Sequence, residues 1–495
     1  MDMATDVRPQ TDAIEELLAA VWSEVLDGTP VGPADNFFDL GGDSLLILET
    51  IALAREEGLD YTPLDLIENQ TVAELAARVT AATAPLVEAE VADGIPLTFA
   101  QQQLCTRQPH PRYVTQAVLW RVEDDLDAEV LAQALPAVLD PHDSFRLRLD
   151  GSRLRLAADT GFTLERLDLS GGTERERAEA VLRETTRLQR SLDPVGGPTV
   201  RGALLDLGPA GRRLFLTAHH LAVDSASWRI LRGELAAACR RPAREQPGQQ
   251  ATTPYGVWAQ RIGATRPVPG PPTAGGGLPW APWGRLDNGG EPFSRATTAR
   301  VRTPADLTAT LLELARRDLG TGMDSVVLAA VTTAVAQVYG TDLVACDIER
   351  HGRDQAGAGT DISRTTGWFT DLRTVRLAPG GPAERLVKSA DHALHDPDGG
   401  VATRTVPAAL VNYLGRFTER PQEMFAEAEE TFADDRHPDN HLTHPVEVHA
   451  AVNGAHLVTV LTCDGAAPDG QRAQELADAY AAALESIAAG PREEA

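Results

Sequence analysis

Apolar positions near the start of the chain, Ile14, Leu17, Leu18, Val21, Trp22, Val25 and Leu26, fall at i, i+3, i+4, i+7, i+8, i+11 and i+12. This spacing predicts an amphipathic helix opening at Thr11 or Asp12. A turn-rich stretch follows, and Leu45, Leu48, Ile51 and Ala52 then start a second helical face, which puts Ser44 at a helix N-terminus. Thr71-Val72-Ala73-Glu74 reads as a capping box opening a last helix through Val79. Residues 1–82 are therefore predicted as a small all-helical unit. Residues 83–95, rich in Ala, Pro, Val and Glu without periodicity, read as a tether. From 96 onward the period alternates: strand-like runs at 118–122, 145–149 and 213–218 are interleaved with helical ones at 126–139 and 173–188. That predicts an α/β lobe over 96–262. Residues 263–293 carry too many prolines and glycines for a core element and read as a connector. A second α/β lobe follows over 294–490. Thr303-Pro304-Ala305-Asp306 predicts an N-cap with proline at the first helical position of a helix running to Asp318; a further helix spans 325–339, and a strand at 343–348 delivers Glu349.

The charge balance narrows the partners. A net charge of −27 and a pI near 4.8 argue against nucleic acid and anionic membranes, both of which repel an acidic surface. Residues 1–85 hold 17 Asp and Glu against three Arg and no Lys, a net −14, so about half of the acidity sits in about a sixth of the chain. The cysteines, Cys105, Cys239, Cys346 and Cys463, lie far apart with no CxxC or Cys/His cluster, which suggests neither a disulfide framework nor a metal site. The first residues lack the basic and apolar regions of a signal peptide, and no apolar run approaches membrane-spanning length. A cytoplasmic protein is expected.

Two stretches carry chemistry. In Asn36-Phe37-Phe38-Asp39-Leu40-Gly41-Gly42-Asp43-Ser44-Leu45 a glycine pair permits a tight turn, and Ser44 stands where an attached phosphate would meet free N–H groups and the positive end of a helix. Serine there is equally a plain N-cap. In His219-His220-Leu221-Ala222-Val223-Asp224-Ser225-Ala226-Ser227-Trp228-Arg229-Ile230-Leu231 an apolar strand delivers two histidines to a loop, from which a helix leaves. An imidazole held there can take and return a proton near neutral pH, although a lone His pair is more often core.

The first stretch resembles the attachment motif of peptidyl carrier proteins. The second resembles the HHxxxD core of the condensation-domain superfamily of nonribosomal peptide synthetases, and its Ser-Trp-Arg-Ile-Leu continuation looks like the epimerization branch. Glu349-Arg350-His351-Gly352-Arg353-Asp354, Arg364 to Thr370, Val411-Asn412-Tyr413-Leu414-Gly415-Arg416-Phe417 and, more weakly, His142 to Arg148 resemble further epimerization motifs in the family's order. The resemblance implies a three-helix carrier followed by a two-lobed chloramphenicol-acetyltransferase-like pseudo-dimer, with the active site between the lobes. It implies that Ser44 carries 4'-phosphopantetheine, with Asp43 before it a variant common in carriers serving epimerization domains. By the same resemblance His220 and Glu349 are the opposing acid and base, Tyr413 and Asn412 lie near the reacting group, and Asp224 and His219 are structural.

The expected reaction is inversion of the α-carbon of an aminoacyl or peptidyl thioester on Ser44, which requires a base on one face, an acid on the other and stabilisation of the carbonyl oxygen. A phosphopantetheinyl transferase, a separate adenylating enzyme or upstream module, and a downstream condensation or release enzyme are the implied partners; no metal is needed. Three positions depart from the family pattern. Ser225 replaces a glycine whose dihedrals serine adopts at a cost, Arg350 replaces the glycine after Glu349, and Phe99-Ala100-Gln101-Gln102-Gln103-Leu104 looks like the opening of amide-forming condensation domains. The stretch 386–411 is also short. Two alternatives remain open: a condensation-type acyltransferase using the same second histidine, and a non-catalytic module that displays a loaded carrier.

Overall fold

The computed structural model describes residues 8–26, 28–42, 44–81, 91, 94–240, 253–265, 292–353, 361–395, 407–417, 424–464 and 471–490. Asp43, most of the tether and nearly all of the connector lie outside the described residues.

The helical unit comprises α1 (Arg8–Val25), α2 (Ser44–Glu56), α3 (Pro63–Glu68) and α4 (Val72–Ala76), with a two-residue antiparallel pair β1 (Leu59–Asp60) and β2 (Thr80–Ala81). Leu18, Trp22, Phe37, Ile47, Leu66 and Leu75 form its core. The predicted helices are present with shifted ends: α1 already begins at Arg8, so Thr11 and Asp12 lie inside it, and α4 ends at Ala76, short of Val79, while Thr71 caps α4 with Glu74 returning the bond. The periodicity misses α3, whose six residues are too few to show a face; a Thr62–Asp65 capping box with Pro63 at its first turn forms it.

The first lobe runs β3 (Ile95–Pro96), α5 (Phe99–Arg107), β4 (Thr115–Val122), α6 (Ala128–Leu139), β5 (Leu147–Asp150), β6 (Arg153–Leu156), β7 (Leu164–Asp168), α7 (Glu174–Arg190), β8 (Val200–Asp206), β9 (Arg212–His219), α8 (Ser225–Arg240) and α9 (Tyr255–Thr265). The second runs β10 (Thr297–Arg302), α10 (Ala305–Glu313), α11 (Met323–Tyr339), β11 (Val344–Arg350), β12 (Asp371–Leu377), α12 (Ala383–His395), β13 (Ala409–Phe417), β14 (Phe425–Glu427), β15 (Val446–Asn453), β16 (His456–Cys463) and α13 (Gln471–Ala488). Its six-stranded sheet has the order β10-β16-β15-β13-β11-β12, with the nearly all-apolar α11 and with α13 packed on one face. The other main sheet has the order β14-β4-β9-β8-β7. Strand β14, contributed from the second half of the chain, pairs antiparallel with β4 at the edge of the first lobe's sheet.

The proline expectation at residue 304 needs correction. Pro304 is itself the N-cap of α10, with extended backbone, because the Thr303 N–H is engaged by the Leu457 carbonyl at 2.9 Å and keeps the chain extended one residue longer. Beyond Glu313 the helix continues as a π-helical stretch, Leu314–Leu319, and ends at Gly320 in the left-handed region.

Between the lobes lies a third apolar cluster. Ile95, Leu97, Leu104, Leu221, Tyr255 and Trp258 from the first lobe meet Ile362, Trp368 and Phe369 from the second. Among the described residues no single helix is long and apolar enough to cross a membrane.

Candidate active site

Strand β9 ends at His219, and the side chains of His219 and of His220 just beyond it have different surroundings. His219 is fully buried: its Nε2–H donates to the Pro111 carbonyl at 2.8 Å, and its Nδ1 accepts the Leu221 N–H at 3.2 Å. Burial pushes this imidazole down to about 4, so it stays neutral and holds the loop. His220 is half-buried. Its Nδ1–H donates to the Val223 carbonyl at 2.9 Å, which leaves the Nε2 lone pair facing outward; the Gln116 amide nitrogen approaches Nε2 at 3.3 Å. Trp368 stacks on the ring with centroids 4.0 Å apart.

Asp224 does not face the space beside His220. It caps α8, accepting from the Ser227 N–H at 2.8 Å and hydroxyl at 2.7 Å, and it receives Arg353 Nη2 at 3.0 and 3.2 Å. Arg353, wholly buried, also donates to the carbonyls of Ile362 and Thr365 and lies 4.0 Å over the Phe369 ring. Ser225, at the glycine position, is simply the first residue of α8, where the backbone is ordinary helix.

Glu349 is on β11, half-buried, and its Oε1 accepts from the Thr370 hydroxyl at 3.4 Å. One short segment therefore serves both candidates. Gly367 N–H donates to Ser227 Oγ, Trp368 stacks on His220, Phe369 N–H reaches Asp224, and Thr370 reaches Glu349. Parallel pairing of β11 and β13 registers Ile348 with Val411, so the next step along both strands sets Glu349 beside Asn412. Tyr413 alternates to the other side, and its ring packs against the core of the second lobe.

The glutamine-rich opening segment has a bracing role. Gln101, fully buried, caps α5 with Thr98 and donates to the Leu221 carbonyl at 3.3 Å and the Tyr255 hydroxyl at 2.9 Å; that hydroxyl donates to the Trp368 carbonyl at 3.0 Å. Asp143 of the weakest motif accepts the N–H groups of Tyr255 and Gly256 at 2.8 and 2.9 Å, and burial raises its carboxyl. Glu234 joins His142 at 2.9 Å to Arg364; burial opposes its charge, but these two partners outweigh it and hold the carboxyl below its usual range. One further trio, the surface residues His110, His437 and Asp439, brings ligand-type atoms within 4.8 Å of one another.

Sequence reasoning overlooked Gln116, Arg353 and Thr370 as individuals. A signal existed for the first, since Gln116 is the polar member of the face that carries Val118 and Trp120 into the core of β4.

The helical unit contacts the second lobe through a few polar side chains. Arg55 on α2 pairs with Asp361 and donates to the Ser363 hydroxyl at 3.4 Å, while Arg316 pairs with Asp39 at 3.3 Å. Ser44 is the first residue of α2. The turn before it fits an attached phosphate arm. A Cβ on Gly42 would lie 2.2 Å from the Phe37 ring, and Gly41, at φ +105°, brings its backbone so close to Arg416 that a Cβ would meet the guanidinium at 2.6 Å. A helix N-terminus with a cation nearby suits a phosphodiester.

Comparison with known proteins accords with this arrangement. Residues 16–79 match the phosphopantetheine attachment site family and residues 91–266 the condensation domain family. Chondramide synthase cmdD of Chondromyces crocatus is 33% identical over 83% of this chain and 11% of its own length. One of the linear gramicidin synthase polypeptides of Brevibacillus parabrevis is 30% identical over 99% of this chain and 7% of its own length. The chain thus spans about a tenth of the length of these curated relatives. Among solved structures, the epimerization domain from the third module of tyrocidine synthetase B superposes with a TM-score of 0.68 at 22% identity, covering 81% of this chain and 99% of that one. A condensation domain involved in chain release from the enacyloxin polyketide synthase superposes at 0.60 and 18%, covering 92% and 100%. The chain is thus a relative of nonribosomal peptide synthetases: a carrier domain of the phosphopantetheine attachment family, which implies covalent 4'-phosphopantetheine, followed by a two-lobed, chloramphenicol-acetyltransferase-like domain of the condensation family.

Proposed function

We propose that the condensation-family domain inverts the α-carbon of an aminoacyl or peptidyl group carried on its own carrier at Ser44. The observation that carries this reading is the bridge from Trp368 on His220 to Thr370 on Glu349, which ties a base and a carboxyl group from different lobes to one rigid segment. A phosphopantetheine arm supplies a thioester, whose carbonyl makes the adjacent C–H proton removable. His220 Nε2 then takes the α-proton, and the C–H electron pair moves toward the carbonyl. Glu349, as a carboxylic acid, returns a proton from the opposite face; in the reverse direction the two exchange roles. Asn412, beside Glu349 in the sheet, orients the acyl group, and Tyr413 supports that strand from the core side. His219 and Asp224 fix the loop. A phosphopantetheinyl transferase, an adenylating enzyme or upstream module and a downstream condensation or release enzyme complete the cytoplasmic assembly.

The glutamine-rich opening favours a second reading, amide formation using the Ser44-bound acyl group. Its first glutamine, Gln101, braces the histidine loop in either reaction, which removes most of that weight.

The test is solvent exchange. The phosphopantetheinylated chain is loaded with L-aminoacyl and dipeptidyl groups in D2O, and the released acids are analysed for mass and chirality. Deuterium uptake with D-product, lost in His220→Ala and Glu349→Gln, is the expected result. No uptake, with amide appearing once amines are added, would instead establish condensation.

A further inference from the structure

We infer that Gln116 is a further catalytic group, a hydrogen-bond donor to the acyl carbonyl oxygen as the α-proton leaves for His220. The inference rests on the epimerization reading. A carboxamide has a donor end and an acceptor end, and here their orientation is fixed. Trp228 on α8 donates its indole N–H to Gln116 Oε1 at 3.1 Å, so the amide nitrogen is the end turned to His220, 3.3 Å from Nε2. Trp228 itself is nearly fully buried in the core of the first lobe, and strand pairing sets Gln116 opposite Ala218, two residues before His220. The amide is therefore held from both its backbone and its oxygen.

The resting contact locates the donor relative to the reaction. An α-proton moving to Nε2 must approach along the lone pair that the Gln116 nitrogen now faces. The carbonyl oxygen lies about 2.4 Å from the α-carbon by bond lengths and angle. A donor within hydrogen-bond reach of Nε2 thus lies within reach of that oxygen after a small pivot about the pinned Oε1. As the Cα–H bond breaks, its electron pair forms the Cα–C double bond and the carbonyl π pair moves to oxygen; the Gln116 N–H groups meet that charge. When the second proton arrives at the α-carbon the pairs return, and Gln116 ends unchanged. A donor aimed at developing charge in a partly dry site is worth about 10²–10³ in rate.

The experiment compares Gln116→Leu, Gln116→Glu and Trp228→Phe with the unsubstituted chain. Its first readout is the first-order rate of α-deuterium exchange on the loaded protein. Its second is ¹⁵N NMR of histidine-labelled, unloaded protein, which reports the His220 tautomer. Gln116→Leu is expected to slow exchange by about 10²-fold or more while His220 keeps its Nδ1–H form, held by Val223. Gln116→Glu, which places an acceptor opposite Nε2, is expected to shift His220 to a form protonated there and to slow exchange at least as much. Trp228→Phe, which frees the amide to flip, is expected to cost about tenfold. Exchange in Gln116→Leu within threefold of the unsubstituted chain overturns the inference while leaving the epimerization reading intact. A changed His220 tautomer in Gln116→Leu would make Gln116 a positioning residue and overturn the donor role. Absence of exchange in the unsubstituted chain overturns both.

Discussion

Asp224 of the first lobe and Arg353 of the second form a buried ion pair, at 3.0 and 3.2 Å, directly beneath the candidate active site. The remaining acceptor capacity of Asp224 is taken up by Ser227 and the Phe369 N–H, so neither charge is left uncompensated. Removing one partner strands the other in the interior, at a cost of about 3–5 kcal/mol. Arg353→Ala is accordingly expected to lower unfolding free energy by that amount in urea titration. Asp224→Asn should cost less, because its shape and one acceptor remain, yet still slow turnover by tilting the loop that holds His220.

His219 makes a prediction about acid sensitivity. Its imidazole is held down to about 4 in the folded state, against about 6.5 in an unfolded chain. Between these values the unfolded chain binds the extra proton, so this contribution to stability is intact above pH about 6.5 and is lost as pH falls toward 4. Linkage puts the total at roughly 3 kcal/mol. Urea unfolding measured across this range should show a steep acid limb in the unsubstituted chain, and a shallower one in His219→Gln.

The carrier seat is electrostatic and solvent-exposed at its rim. Arg55 meets Asp361 and Ser363, and Arg316 meets Asp39. Pairs of this kind are worth at most about 1 kcal/mol each. Arg55→Glu should therefore slow self-processing only severalfold, more so at low salt, and Asp361→Arg in the same chain should recover part of the loss. A loss that salt does not alter would place the seat elsewhere.

Ser44→Ala should leave the thermal transition unchanged and abolish the mass gain on treatment with a phosphopantetheinyl transferase. Turnover of carrier-bound substrate should vanish with it. A mass gain in that variant would move the attachment point to another residue.

Much of this architecture was legible in the chain because its signals are local. The 3.6-residue period of Ile14 to Leu26, the capping box at Thr71 and the apolar strand delivering His219 each depend on neighbours within a few turns. What escaped depends on distant partners. Arg353 reads as a surface cation until Asp224, 129 residues away, closes on it. Gln116 reads as a stray polar residue until Trp228 fixes its amide. The side of the sheet to which Tyr413 points follows from strand alternation, but the identity of the buried side follows only from where α11 and α13 pack. Motif order identified the family; it did not reveal that one segment, Gly367 to Thr370, touches both halves of the site.

Strand β14 makes the two lobes mutually dependent. It leaves the second lobe, completes the first lobe's sheet beside β4, and is followed by a run in which the Asp435 carbonyl accepts from Thr115 N–H at 2.6 Å and the His437 N–H meets the Tyr113 carbonyl. Cutting the chain in the connector would thus not yield two self-sufficient halves. The amino-terminal piece would present β4 as a bare, apolar edge prone to self-association, and a short peptide spanning 424–437 would be its natural plug. The same latch sets how the space between the lobes can widen. Wholesale separation would have to peel a strand from a sheet, so the latch works as a closed buckle that opposes the parting of the lobes.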